Sequence, residues 1–344
     1  MADFEIAGQK VAPGEQKILN MPLSRLPDGT RMTLTAQVIN GKQDGPVMFV
    51  SGAIHGDEII GTEIVRRLSK QKAINGLRGT LILIPIVNTY GFITLSRYLP
   101  DRRDLNRCFP GRAHGSLGSQ LAHVFMTEIV QRADYGIDLH SAAVHRDNLP
   151  QIRASLGNQI VDDMARAFGA YIIIDSNVRD GSLRQVAQDG GCNMLLYEAG
   201  EALRFDELAI RIGVKGVVNV MRHVGMLKAS KKTKPPHDAP ISDNSNWIRA
   251  AAGGVMRTYF GLGDKVQEGD LLAHISDPLG QDNISIIADE PGLVIGRTNL
   301  PIVNQGDALF HIASLKRLNA AADSVDTLVA YTESDPMHAH QEIV

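Results

Sequence analysis

Over the first two thirds of the chain, apolar runs of strand length alternate with amphipathic stretches. Val47–Ser51, Thr80–Val87, Tyr135–Leu139, Tyr171–Asp175 and Asn193–Tyr197 are short and dominated by apolar residues, the pattern of strands covered on both faces. Glu58–Gln71, Gly118–Arg132, Asn158–Phe168, Ser182–Gln188 and Asp206–Val224 instead space their apolar residues as helices do. The alternation predicts an α/β unit over residues 1–228, a mixed, largely parallel sheet with helices on both faces. Thr33–Ile39 reads as an antiparallel edge strand.

The character changes at residues 229–246. Lys-Lys-Thr-Lys-Pro-Pro-His-Asp-Ala-Pro is charged, Pro-rich and poor in apolar residues, and reads as a linker. Residues 247–315 are short β-like runs broken by Gly turns, an all-β module. Inside it Val266-Gln-Glu-Gly269-Asp270-Leu-Leu272-Ala-His274-Ile275 recurs as Val303-Asn-Gln-Gly306-Asp307-Ala-Leu309-Phe-His311-Ile312. Two copies of V-x-x-G-D-x-L-x-H-I predict a small barrel with internal two-fold symmetry. The module resembles the barrel-sandwich hybrid of biotinyl and lipoyl domains. Those carriers present a lysine between their halves, and Val266–Leu315 contains none. Residues 316–344 read as a polar, mobile tail.

Composition narrows the class. With 35 Lys and Arg against 38 Asp and Glu the net charge is −3, so no global positive excess favours nucleic acid. Two cysteines cannot build a disulfide framework. The N-terminus lacks the basic and apolar regions of a secretory signal, and no apolar run approaches membrane-spanning length. A soluble, cytoplasmic protein without membrane or nucleic-acid partners is expected.

The candidate chemistry lies at strand ends. After Val47–Ser51 comes His55-Gly-Asp-Glu58, whose spacing on the first turn of a helix puts both side chains on one face. Asp138-Leu-His140 ends a second strand and Glu198 a third. Ligands in open α/β sheets sit at the carboxyl ends of strands, so His55, Glu58 and His140 can converge. Two imidazoles and a carboxylate suit Zn²⁺ and leave a fourth position for water. Taken alone, His-x-x-Glu is also an ordinary helix start with Glu favoured by the dipole. Asp138 is a candidate acceptor orienting His140. Glu198, a carboxylate closing an apolar strand, is a candidate general base; its bland reading is a rim carboxylate facing solvent. The segment from Arg97 to Gly111 is a loop with four arginines, in which Asn106 and Arg107 can clamp a substrate carboxylate. In isolation it reads as a solvated basic loop.

Taken together, His55-x-x-Glu58, Asp104-Leu-Asn106-Arg107, Asp138-Leu-His140 and Tyr197-Glu198-Ala-Gly200 resemble the succinylglutamate desuccinylase/aspartoacylase family, a branch of the zinc carboxypeptidase fold. The resemblance covers roughly residues 40 to 315. It implies one zinc ion per chain held by His55, Glu58 and His140, Glu198 as general base, and Asn106 with Arg107 on a substrate carboxylate. It also implies an arginine that polarises the scissile carbonyl. Arg97 matches the local context, with a gap about two residues longer than the family's, and Arg102 and Arg103 are rivals; Arg103 also ranks as a substrate-binding candidate. The implied activity is a zinc-dependent amidohydrolase removing the acyl group from a small N-acylated amino acid or amine. A zinc metallocarboxypeptidase on short peptides is the alternative with the same machinery. A non-catalytic binding or carrier protein is the alternative of another class. A homo-oligomer is expected.

Overall fold

The computed structural model describes residues 1–229 and 239–334. One 13-stranded sheet runs through it. Its longer strands are β1 (Gln16–Arg25), β2 (Arg31–Asn40), β3 (Gln43–Gly52), β4 (Arg78–Ile84), β5 (Tyr135–Ala142), β6 (Arg146–Ala154), β7 (Ile172–Asp175), β8 (Asn193–Glu201), β9 (Asn244–Arg249), β10 (Gly292–Thr298) and β11 (Ala308–Ser314). Their order across the sheet is β9-β11-β10-β6-β8-β5-β3-β4-β2-β1, with β7 beside β6. The expected parallel strands form the centre, β8, β5, β3 and β4. Both flanks are antiparallel, so the sheet is mixed. β2 contains the expected edge strand, but β1 pairs outside it.

Alternation along the central strands divides the core. Met48 and Val50 of β3 face one apolar layer, and Phe49 faces the other; Leu81 and Leu83 of β4 part from Ile82 and Ile84 in the same way. Helices α1 (Ile60–Leu68), α3 (Gln159–Phe168) and α5 (Glu207–His223) cover the first layer. Helices α2 (Leu117–Glu128) and α4 (Leu183–Asp189) cover the second. Ser116, Asn158, Ser182 and Asp206 begin α2 to α5 by accepting a backbone N–H in the first turn. Gly52 lets α1 lie against β3: a Cβ there would sit 2.7 Å from the Gly61 backbone. No helix among the described residues is long and apolar enough to cross a membrane.

The C-terminal module shares this sheet, for β9, β10 and β11 extend it through the β6–β10 pairing. A second sheet of four strands, Gly254–Thr258, Leu271–Ser276, Asn283–Ile287 and Ile302–Val303, closes a separate core around Val266, Leu272, Val294, Leu309 and Phe310. The repeat is real in the backbone. Gly269 and Gly306 both take φ +88°. Asp270 accepts the Gln267 N–H and Asp307 the Asn304 N–H, each at 2.7 Å. The first copy feeds the second sheet and the second copy feeds β11.

Two expectations change. Of the expected linker, residues 230–238 lie outside the described residues, and its far end is strand: Ile241–Ser242 pairs with β7, and β9 begins at Asn244. The expected polar tail holds a helix, α6 (Leu318–Ser334), whose Val325 and Leu328 are buried in the first apolar layer. Sparse apolar residues suffice there because α6 packs on α5 and β10 through one narrow stripe. Residues 335–344 lie outside the described residues.

Candidate active site

A cavity of about 300 Å³ opens at the carboxyl ends of β3, β5 and β8. Ala53, at φ +51°, turns the chain out of β3 into the segment carrying His55 and Glu58. These two residues precede α1 rather than forming its first turn; the Glu58 N–H donates to the His55 carbonyl and closes a tight turn. His140 enters from β5. One donor atom from each of His55, Glu58 and His140 lies within 4.8 Å of the others, and all three side chains are buried.

The donor set carries its own anchors. His55 Nδ1 lies 2.7 Å from Glu58 Oε1, and His140 Nδ1 2.8 Å from Glu58 Oε2. The outer nitrogens face carboxylates as well: His55 Nε2 is 3.1 Å from Asp104 Oδ1, and His140 Nε2 is 2.7 Å from Asp138 Oδ2. Ser51 Oγ donates to the other Asp138 oxygen at 2.7 Å. An imidazole that gives its Nε2–H outward turns a bare Nδ1 lone pair inward. Two such lone pairs and the Glu58 carboxylate then converge, a set of acceptors that fits a divalent cation and matches the donor types of Zn²⁺. Burial opposes charge on both imidazoles, yet the carboxylates outweigh it: Glu58 and Asp104 raise the His55 pKa, and Asp138 and Glu58 raise that of His140 well above the ordinary value. Burial likewise opposes the Glu58 carboxylate, but the two imidazoles hold it well below the usual range.

Among the loop arginines, Arg97 reaches the cluster. Its Nη1 donates to Glu58 Oε1 at 2.9 Å and its Nη2 to Asp104 Oδ2 at 3.1 Å. Arg102 is exposed at φ +63°. Arg103, expected on the substrate, turns away; it is exposed, donates to Ser116 Oγ and lies 3.7 Å from Asp101. Its side chain follows the α2 cap because Ser116 offers an acceptor on that side. Asn106 and Arg107 line the cavity. The Asn106 Oδ1 is already committed to the Leu183 N–H at 2.9 Å, which leaves its NH₂ group for a ligand.

Glu198 of β8 lies in register beside His140 of the parallel neighbour β5 and lines the same cavity. Arg153 Nε is 2.9 Å from its Oε2, and the Asn148 Nδ2–H donates to the same oxygen at 3.1 Å. Both supports come from β6, a strand absent from the sequence expectation. The module also reaches the cavity: Trp247 of β9 lines it, stacked at 4.7 Å and 10° on His311 of β11, with the Arg146 guanidinium 5.3 Å from its ring centroid. Burial pushes the His311 pKa down to about 3, so a neutral imidazole backs the indole. Arg146, Asn148, Arg153, Arg179, Arg184 and Trp247 were missed in the sequence. For the arginines the one signal was their density between Arg146 and Arg184; Trp247 carried none.

Fold and site together define an α/β hydrolytic enzyme with a buried His-Glu-His cluster able to hold a metal. Residues 44–224 match the succinylglutamate desuccinylase/aspartoacylase catalytic domain. The chain belongs to that family, whose members hydrolyse acylated amines. It is 25% identical over 329 residues to N-alpha-acetyl-L-2,4-diaminobutyric acid deacetylase of Halomonas elongata, covering 91% of this chain and 94% of that one. The product-bound ectoine utilization protein EutE (DoeB) from Ruegeria pomeroyi superposes with a TM-score of 0.78 at 25% identity, over 87% of this chain and 94% of that one. The succinylglutamate desuccinylase/aspartoacylase from Rhodobacter sphaeroides shares the fold, with a TM-score of 0.77 at 24% identity over 87% and 96% of the two chains.

Proposed function

We propose that this chain is a zinc-dependent deacylase that releases the amine from a small N-acylated amino acid. The observation that carries this reading is the pair of imidazoles, each anchored outward by a carboxylate and turned inward on Glu58. His55, Glu58 and His140 would hold the metal. When bound, Zn²⁺ supplies a Lewis acid that makes water a competent nucleophile near neutral pH.

The remaining steps belong to side chains of the cavity. Arg107 and the Asn106 NH₂ group hold the substrate carboxylate and set the amide in line with Glu198. Arg97 donates to the acyl oxygen and stabilises the negative charge that grows there as water attacks. Glu198 takes a proton from that water as its oxygen bonds to the acyl carbon. The same proton passes to the amide nitrogen as the C–N bond breaks, so the amine leaves neutral and the acyl group leaves as a carboxylic acid. Arg153 and Asn148 fix the Glu198 carboxylate for both transfers. Trp247 walls the cavity, whose volume suits small molecules better than polypeptides.

The test is amine release by zinc-loaded protein from N-acetyl and N-succinyl amino acids, N-acetyldiamines and dipeptides. Turnover of N-acyl amino acids is expected. Cleavage of dipeptides alone would replace the deacylase with a carboxypeptidase.

A further inference from the structure

Strand β6 sets three polar side chains beside Glu198. Asn148 and Arg153 line the cavity, and both meet Glu198 at the same oxygen, Oε2. Gln151 stands between them and pairs in register with Glu198 itself, across the antiparallel β6–β8 ladder. Directly opposed residues of an antiparallel pair project from one face, with Cβ atoms about 5 Å apart. The neighbouring pairs agree: Leu196 and Arg153 share the cavity face, while Tyr197 and Ile152 share the apolar layer behind it. A glutamine at this position is long enough to reach the Glu198 carboxyl group.

Gln151 is fully buried, and neither its Nε2 nor its Oε1 has a hydrogen-bond partner. No other side chain among the described residues has two buried polar atoms in that condition. An unpaired buried amide destabilises a fold, and an apolar residue of the same shape would serve the core better. The reaction proposed above gives this amide a partner for part of each turnover. While Glu198 is a carboxylate it needs donors, and Arg153 and Asn148 supply them. Once it holds the proton it carries an O–H, and a guanidinium has no acceptor to offer. The Gln151 Oε1 is an acceptor on the correct face.

Resting on the deacylase reading, we propose that Gln151 is a positioning residue for Glu198. Its side-chain carbonyl receives the O–H that Glu198 gains when water is deprotonated. It holds the acid in place until the C–N bond breaks and the amide nitrogen takes the proton.

The test is a double-mutant cycle. Gln151→Met keeps the length of the side chain and removes both polar atoms; Gln151→Leu is a second apolar replacement that exposes a packing fault in the first. Glu198→Gln puts a neutral N–H donor where the carboxylic acid has its O–H, and so mimics the protonated state. Thermal midpoints of the zinc-loaded proteins read the contact without turnover. In the parent, the apolar variants should raise the midpoint by about 2 °C, because an idle amide leaves the core. In the Glu198→Gln background they should lower it by about as much, because a hydrogen bond is lost. On the best N-acyl amino acid, Gln151→Met should lower kcat by about tenfold and leave KM within about twofold, since other residues hold the substrate carboxylate. Opposite midpoint shifts with an unchanged kcat overturn the assignment. If the parent hydrolyses no N-acyl compound while the midpoints move apart, the contact between Gln151 and Glu198 stands and the deacylase reading falls. Midpoints that move together in the two backgrounds, in a parent that does release amine, overturn the contact and leave the deacylase reading intact.

Discussion

Around Glu58 the Asp104 and Asp138 carboxylates and the Arg97 guanidinium each meet a polar partner within the cluster, whereas Arg184, on the wall of the same cavity, donates only to neutral oxygens. The first cluster is organised by the protein itself. Asp104 and Asp138 orient the imidazoles, Ser51 orients Asp138, and Arg97 ties Glu58 to Asp104. The second is left unbalanced. The first arrangement holds its groups in one geometry; the second leaves a buried cation to hydrogen bonds with neutral oxygens.

The largest expected effect comes from emptying the balanced cluster. Glu58→Ala removes the carboxylate shared by both imidazoles, and bound zinc and amine release should be lost together, as read by elemental analysis and by assay. Next are the outer anchors. Asp138→Asn keeps the size but takes away the anionic acceptor behind His140, and zinc affinity should weaken by about 10- to 100-fold in a competition titration. An unchanged affinity would mean the anchoring contributes nothing.

The link between module and site is tested at Gly296. A Cβ there would lie 2.7 Å from Asn148 Oδ1 and 3.2 Å from the His311 Cβ. Gly296→Ala should displace Asn148 from Glu198 and lower kcat by roughly tenfold, with zinc content unchanged. A fall in zinc content would show that the damage spreads beyond Glu198.

The smallest effect concerns Asp147, a carboxylate among like charges. Burial first, then Asp206 and Glu201, raise its pKa to about 6 against the opposing pull of Arg297. The folded state therefore binds a proton more tightly than the unfolded chain. The stability this group adds is complete below its ordinary pKa, near 4, and is lost as pH rises to about 6. Asp147→Asn should exceed the parent by about 1 kcal/mol at pH 7, a figure reduced for partial exposure, and match it near pH 4 in denaturant titrations.

The balanced cluster was legible in the sequence because metal donors are few in kind and stand at the ends of recognisable apolar strands. His55, Glu58, His140, Asp138 and Glu198 all follow or close such runs. The supports around Glu198 were not. Strand β6 reads Arg146-Asp-Asn-Leu-Pro-Gln-Ile-Arg153-Ala, and the polar residues it aims into the cavity break the alternation that reveals a strand. Pro150 interrupts it further. Trp247 was hidden for another reason: a lone aromatic after a Pro-rich stretch acquires meaning only when β9 pairs with β11 and sets the indole on His311. Arg103 and Arg97 look alike in the loop, and only the fold separates the one facing Glu58 from the one facing Ser116.

The most direct measurement places zinc content and amine release side by side for the parent chain and Glu198→Gln, on the best N-acyl amino acid of the panel. Glu198 is read as moving protons without holding the metal. The two proteins should therefore bind zinc equally, about one ion per chain, while the variant loses about 10³-fold or more in kcat. A Glu198→Gln protein that keeps both its zinc and its turnover would contradict the account at its centre.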